Sequence, residues 1–415
     1  MKIKLLLSLI VVQFGFSQER NCATPEKMEE LSHNARMKAV YENYQTLFDA
    51  EFERLSNENF DGSHRRLTLR IPVAVHYPSA SATLTESEKQ CLRDLAQNQV
   101  DILNADFNAT NADLSIWTGN TGAFFPGVNY GAMDVEFVIA NGNHPASTGL
   151  ANGALAVTFR QPFGGGPDGD WDPDWAGYLN FVVKNLSGGT LGYAYLASSP
   201  ADGAAVFIDN DAFGAGAGCT GFVPGAPYNL GRTLTHELGH YLNLNHIWGD
   251  ATCGNDGVAD TPVHNTSNGG CPAISHLSTC TGTPRELTMN YMDYTYDSCM
   301  YMLTAGQATR MQAHLNVIAS SFNQDTLLSN EGFDKNDFVI YPNPNKGTFN
   351  IQFSEIVNDY SVQIIDQSGR VVFENKYSGN TSLTQDINMN STATGVYFVT
   401  IKSNDFITTK KVLVQ

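Results

Sequence analysis

Three histidines and a glutamate are crowded into Thr233–Asp250, which reads TLTHELGHYLNLNHIWGD. His236 and His240 are four residues apart, so on a helix they project from one face about a turn apart. Neutral imidazoles placed in that way can bind one Zn²⁺ through nitrogens at about 2.0–2.1 Å. Glu237 follows the first histidine and can reach a water at such a metal as general base. His246 comes six residues after His240, where an unbroken helix would rotate it far from the other two. A helix stop between them is therefore required. Gly is the usual residue for a left-handed stop. The residue here is Asn243, the next most tolerant type. Three His ligands and one open position describe a catalytic zinc site, not a closed structural one. The competing reading is a core helix that happens to carry surface histidines.

These side chains need a scaffold, and the flanking sequence predicts one. Residues 25–55 predict a helix, since Lys27–Leu55 is rich in Glu, Met, Ala and Leu and contains neither Gly nor Pro. Residues 56–66 are polar, end in Arg65–Arg66, and read as an exposed, cleavable connection. Leu67–Val75 alternates and is β-branched, as a strand does. A helix then opens at Thr85, with Glu86 and Glu88 in its first turn and Leu92, Leu95, Val100, Ile102 and Leu103 behind. Val135–Ile139, Leu155–Phe159, Tyr178–Val183 and Ala205–Ile208 read as further strands. Strands mixed with a few helices predict an α+β domain. Around 325–337 the composition shifts to Asn, Ser and Asp, a linker, and beyond it everything reads as β. Phe349, Ile351 and Phe353 alternate; Val362–Ile365 and Val371–Phe373 flank a turn at Asp366–Arg370; Val396–Ile401 and Val412–Val414 follow. That pattern predicts a small β-sandwich.

Composition limits the partners. The 415 residues carry 24 Lys+Arg against 42 Asp+Glu, a net charge of −18, which argues against nucleic acid or an anionic membrane as the main partner. Lys2 and Lys4 precede an apolar run, Leu5–Val12, and Gly15 and Ser17 precede a cut that would leave Gln18 first. Residues 1–17 thus read as a signal peptide, too short to span a bilayer, and no later stretch is long enough either. The chain is expected to be exported through the periplasm and secreted, where disulfides form. Of seven cysteines, Cys253, Cys271, Cys280 and Cys299 share one Gly/Asn/Asp-rich stretch, while Cys22, Cys91 and Cys219 leave an odd thiol.

HELGHYLNLNH, together with Asn290-Tyr291-Met292-Asp293-Tyr294, Asp297-Ser298-Cys299 and Leu303–Gln307, resembles the metzincin peptidases, most closely the pappalysin family. The resemblance covers about residues 66–322, with its specific motifs in 233–312. It implies a metzincin-like zinc peptidase domain, a twisted mixed sheet plus the active-site helix. His236, His240 and His246 would hold zinc, with Glu237 as base and Tyr294 helping to hold the oxyanion. Met292 would lie in a tight turn beneath the metal. Asp256 and Thr261 match positions at which relatives bind Ca²⁺; a solvated acidic loop is the alternative. Cys253 would pair with Cys280, and Cys271 with Cys299. Related zymogens block zinc with a thiolate, a role that falls here to Cys22; the alternative is a spare thiol or a partner for Cys91 or Cys219. Asp297 matches a carboxylate at the base of the pocket for the residue after the cut (S1′), which implies cleavage before Arg and less readily Lys. The alternative is a solvated loop acid.

The last 80 residues or so resemble the C-terminal sorting domain of the type IX secretion system. The matching features are Ile340–Pro344, Gly347, the Asp366–Arg370 turn, Gly395-Val396-Tyr397 and the strand Lys410–Val414. A carbohydrate-binding sandwich is the competitor. The expected organisation is therefore a signal peptide at 1–17, a pro-segment at 18–65, a catalytic domain at 66–325, a linker at 326–337 and the sorting β-domain at 338–415. The expected function is a secreted metalloendopeptidase made as a latent zymogen, acting on proteins or peptides and exported by the type IX machinery. Its rival is an inactive adhesin or binding protein on the same scaffold, against which the retained Glu237 argues.

Overall fold

The computed structural model describes residues 20–57, 69–164, 170–323 and, within 338–415, all but 354–357, 367–369, 380–381, 383, 390–392 and 404–406. Two compact units divide between residues 327 and 328. The signal run, Arg65–Arg66 and the linker at 326–337 lie outside the described residues.

The first unit opens with two helices, α1 (Thr24–His33) and α2 (Ala35–Asn57), where one was expected. Asn34 divides them. Its backbone is extended (φ −99°, ψ 106°), and its side-chain oxygen accepts the N–H groups of Arg36 (3.1 Å) and Met37 (3.2 Å). A short polar side chain that bonds the backbone ends one helix and caps the next. Helix α2 buries Phe48 and Leu55 against Ala313 of α6 (Ala305–Ile318), with the Arg310 guanidinium 4.8 Å from the Phe48 ring centre.

Behind these helices lies a mixed sheet. Strand β1 (Leu69–Tyr77) has its last seven residues buried, as in a strand covered on both faces; residues 67 and 68 of the expected strand lie outside the described residues. It pairs in parallel with β2 (Val135–Ile139), β3 (Val157–Phe159) and β4 (Leu179–Lys184). Strand β6 (Ala205–Asp209) continues the parallel set, and β5 (Gly192–Tyr193) closes the edge antiparallel to it. The order is β2-β1-β4-β6-β5, with β3 on β1. Helix α3 (Glu86–Phe107) starts at a capping box between Thr85 and Glu88 and buries Leu92, Leu95, Val100, Leu103 and Phe107. Cys91 on α3 is bonded to Cys219, tying that helix to the loop after β6. A short α4 (Leu114–Gly119) follows α3.

Helix α5 (Arg232–Tyr241) is buried along its whole length. It ends in a left-handed turn at Asn243, φ 71°. The Asn243 N–H donates to His240 O (2.8 Å) and the Leu244 N–H to Gly239 O (2.9 Å), the paired bonds of a Schellman motif. The chain reverses there and brings residues 244–250 back along α5. From 250 to 296 it has neither helix nor strand, and Cys253–Cys280 and Cys271–Cys299 crosslink this stretch. Among the described residues no helix is long and apolar enough to cross a membrane.

The second unit is all β: β7 (Phe338–Tyr341), β8 (Thr348–Phe353), β9 (Tyr360–Asp366), β10 (Val371–Tyr377), β11 (Thr384–Asn388), β12 (Gly395–Ser403) and β13 (Ile407–Val414). They form two antiparallel sheets, β10-β9-β12-β13 and β11-β8-β7. Alternate residues meet in one core, including Phe349, Ile351, Phe353, Val362, Ile364, Val399, Ile401 and Val412.

The turn at Asn243 gives a first prediction. Asn243→Val should destabilise the chain by about 1–2 kcal/mol, because a β-branched residue resists the left-handed conformation, whereas Asn243→Gly should be near neutral. Thermal or urea unfolding measures both. An equal loss for Gly would place the cost in the side-chain contact and not in the backbone.

Candidate active site

Helix α5 and its reversal bring three imidazoles together. The His240 Nε2 lies 3.2 Å from His236 Nε2 and 3.1 Å from His246 Nε2. Each Nδ1 has an acceptor: Tyr291 O for His236 (2.6 Å), Leu244 O for His240 (2.7 Å) and Asp250 Oδ1 for His246 (2.5 Å). Carbonyl and carboxylate oxygens only accept, so the Nδ1 atoms carry the protons and the Nε2 atoms present lone pairs. Three lone pairs aimed at one point cannot satisfy one another; a cation can. Nitrogens bound tetrahedrally to one zinc stand roughly 3.3 Å apart, so these residues fit the metal. Burial, then the neighbouring imidazoles, push His236 and His240 well below the usual histidine range, keeping them neutral.

Cys22 completes the cluster. Its sulfur and the three imidazoles offer ligand atoms all within 4.8 Å of one another, all buried. Cys22 is in no disulfide. Its thiol donates to Glu237 Oε2 at 3.2 Å, and Thr24 Oγ1 donates to the same oxygen at 3.4 Å. The other oxygen, Oε1, is buried and without a hydrogen bond. Burial lifts the Glu237 carboxyl to about 8, opposed by the Cys22 bond and the Arg20 charge. Glycine at 192 makes room for this carboxylate, since a Cβ there would come within 2.7 Å of Glu237 Cγ.

Below the helix, Met292 occupies a turn in which Asn290 Oδ1 accepts the Met292 N–H (2.9 Å) and Asn290 O accepts that of Asp293 (3.1 Å). Its sulfur packs on Gly239, where a Cβ would sit 2.5 Å from Sδ. Tyr294 stands on the other side. Its ring meets His246 edge-on at 4.9 Å, and its hydroxyl donates to the Cys22 carbonyl at 3.4 Å.

Residues 20–24 lie along the edge of the sheet. Leu191 N donates to Asn21 O (2.8 Å) and Ala23 N to Gly192 O (3.0 Å), so Cys22 bridges Gly192 in parallel. Two residues before Cys22, Arg20 enters a closed pocket. Its guanidinium meets Asp297 Oδ1 at 2.5 Å, Thr233 Oγ1 at 2.9 Å, Thr295 O at 3.4 Å and Met300 Sδ at 3.3 Å, and lies 4.7 Å from the Tyr228 ring centre. Asp297 is fully buried, and its second oxygen accepts the N–H groups of Leu230 (2.8 Å) and Arg232 (3.3 Å). Arg20 was not singled out from the sequence. The available signal was its offset: positions i and i+2 of an extended chain face the same way.

Asp250 was also missed, as was a buried network behind α5. There Arg232 bonds Asp106, Asp113 and the Tyr291 hydroxyl, while Thr235 donates to Asp106 at 2.6 Å. Tyr291 is the residue whose carbonyl orients His236. Asp256 and Thr261 lie apart from the histidines. Thr261 Oγ1 is 2.9 Å from both Asp256 oxygens and from Val258 O, which gathers four oxygens in one loop. Burial raises the Asp256 carboxyl to about 6.

The family model of pregnancy-associated plasma protein-A matches residues 169–316, and that of a secretion system C-terminal sorting domain matches 339–415. A solved promirolysin mutant from Tannerella forsythia is 28% identical, covering 72% of this chain and 95% of that one, with a TM-score of 0.53. Mature mirolysin from the same organism, in complex with a cleaved peptide, is 31% identical over 62% of this chain and 100% of that one (TM-score 0.47). Extracellular metalloprotease 1 of Coccidioides posadasii is 40% identical over 140 residues, 32% of this chain and 47% of that protein. The chain spans about half the length of the first curated relatives it matches.

The Asp250 contact makes a second prediction. Asp250→Asn should weaken zinc binding about 10–100-fold, since outer partners of this kind orient a ligand ring and raise its basicity. Competition against a chromogenic chelator reads this directly; unchanged affinity would show that Asp250 does not hold the ring.

Proposed function

The chain belongs to the peptidase family of pregnancy-associated plasma protein-A, and from that premise we propose that it is a secreted zinc endopeptidase, made latent, that cuts proteins before Arg and less readily Lys. The observation that carries this reading is the convergence of three imidazole lone pairs beside a carboxylate with one unbonded oxygen. An adhesin on the same scaffold would have no use for that base.

A zinc ion held by His236, His240 and His246 would supply Lewis acidity, polarising the scissile carbonyl and acidifying water. Glu237 takes the proton of the attacking water and passes it to the leaving amine. Its raised proton affinity suits a group that must hold that proton between the two events. Tyr294 donates its phenolic hydrogen to the developing oxyanion, and its bond to the Cys22 carbonyl supports this role. Asp297 receives the side chain after the cut. Its buried carboxylate needs a cation, and Arg matches it better than Lys through its planar fork. Met292 shapes the floor beneath the ligands.

Latency follows from the same contacts. In the pro-segment, 18–65, Cys22 would be the fourth zinc ligand and Arg20 would fill the Asp297 pocket, so metal and specificity pocket are blocked together. The cut that frees the domain is proposed before Arg65 or Arg66. The Asp256–Thr261 loop is proposed as a structural Ca²⁺ site on the strength of its clustered oxygens. Residues 338–415 are proposed to address the protein to the type IX secretion machinery, after which they are removable.

Three variants test the reading. Glu237→Gln should retain one zinc per chain yet lose casein hydrolysis by at least about 10²–10⁴-fold, because the ligands survive while the base is lost; substantial activity would overturn the mechanism. Asp297→Ala should remove the preference for Arg after the cut in a peptide library. In the precursor the same change should loosen the pro-segment by about 3–5 kcal/mol, because Arg20 is left buried and unpaired. Cys22→Ala should likewise give a leaky precursor. A native enzyme that favours apolar residues after the cut would refute the specificity.

A further inference from the structure

Lys27, further along the same segment, meets a second carboxylate. Its Nζ lies 3.3 Å from Asp170 Oδ2 and 5.0 Å from the centre of the Tyr193 ring. Asp170 in turn accepts the hydroxyls of Tyr193 (3.2 Å) and Tyr195 (3.0 Å), one on each oxygen. Both tyrosines are buried, at 6% and 4% exposure. None of these groups touches the imidazoles or the Asp297 pocket, and the mechanism leaves them without a task.

We propose that Asp170, Tyr193 and Tyr195 form a subsite for a basic side chain, Lys or Arg, on the N-terminal side of the scissile bond. The inference rests on the reading that residues 20–57 leave the mature enzyme. Lys27 then vacates the carboxylate, and Glu30, which shares its ammonium at 2.8 Å, departs with it. What stays is a carboxylate held by two phenols beside an aromatic face. A cation satisfies both features, by ion pairing and by lying over the ring. An acidic side chain is repelled, and a neutral one leaves the carboxylate to water.

The order of contacts fixes the side of the cut. Along the segment come Arg20 at Asp297, Cys22 at the imidazoles, then Lys27 at Asp170. If the Asp297 pocket takes the residue after the cut, Asp170 lies across the metal from it and faces residues before the cut. A substrate placed in this way runs opposite to the segment, hence antiparallel to β5, because the segment bridges β5 in parallel. One extended step and about four near-helical ones separate Cys22 from Lys27, because Ala23 already has φ −92° and ψ 14°. That is roughly 9 Å, or about three extended substrate residues.

The test profiles the enzyme after the full chain has shed its pro-segment, on peptides cut before Arg and varied three and four residues upstream of the cut. Native enzyme should favour Lys or Arg over Ala there by roughly five- to thirty-fold in kcat/KM. This ratio should fall as salt rises, as an ion pair does. Asp170→Asn should bring the ratio to about one, and Asp170→Lys should invert it toward Glu, while both keep the Arg preference after the cut. A flat native profile, a salt-independent ratio, or a basic preference that survives in both variants overturns the subsite. Failure of the peptidase reading looks different: native enzyme cuts nothing, and the subsite falls with it.

Discussion

Three imidazole Nδ1 protons, each held by an acceptor from a different part of the chain, turn three Nε2 lone pairs onto one point. The acceptors are the Tyr291 carbonyl of the Met292 turn, the Leu244 carbonyl just past the helix stop, and the Asp250 carboxylate. Each depends on a separate structural condition. The Tyr291 main chain is held by its N–H bond to Met302 O (3.0 Å), and its hydroxyl by Arg232, which also pairs with Asp106. Leu244 is placed by the left-handed Asn243. Asp250 itself takes a positive φ of 53°, a conformation that Asp tolerates better than most side chains. With the protons fixed on Nδ1 and desolvation disfavouring charge, His236 and His240 stay neutral and able to take a metal.

The N-terminal segment meets the cleft as a sequence of chemical complements. A guanidinium lies on a buried carboxylate, a thiol stands among the imidazoles, and an ammonium faces a carboxylate held by phenols. Main-chain bonds to the edge of the sheet keep these groups in register. Helix α2 adds an anchor away from the cleft. Phe48 and Leu55 pack on α6, and Gln45 bonds the side chain of Asn243 at 2.9 Å. The residue that ends α5 is therefore also a contact of the segment. Under the proposed reading, recognition of self and of substrate use the same physical features, which is why the occupied cleft is informative about specificity.

Charge is placed sparingly at this centre. Asp297 is buried but has three donors, whereas Glu237 Oε1 is buried with none. Under the proposed reading, the first arrangement suits a rigid recognition group, and the second a group kept ready for a proton. The crosslinked stretch 250–300 has little secondary structure, yet it carries Met292, Tyr294 and Asp297. Its two disulfides supply order that a helix or sheet would otherwise supply.

Much of this was legible in the residues because it is local. The spacing of His236, Glu237 and His240 is set by helical geometry, the stop at Asn243 by the conformations open to Asn, the start of α3 by a capping box, and the C-terminal sandwich by period-two alternation. Membership of a family could be read from HELGHYLNLNH and NYMDY. Asn34 was local too, but its side-chain bonds competed with a run of good helix formers whose pattern favoured one long helix. The rest needed the tertiary structure. Arg20 and Asp297 are 277 residues apart, Arg232 and Asp106 are 126 apart, and Cys91 and Cys219 are 128 apart. Asp250 is near His246 in the chain, but its role depends on how a ring is turned. Helical and strand periods state which side chains share a face. They do not state which buried charge will find its counter-charge, because that pairing is decided only when packing removes water and leaves each ion a single partner within reach.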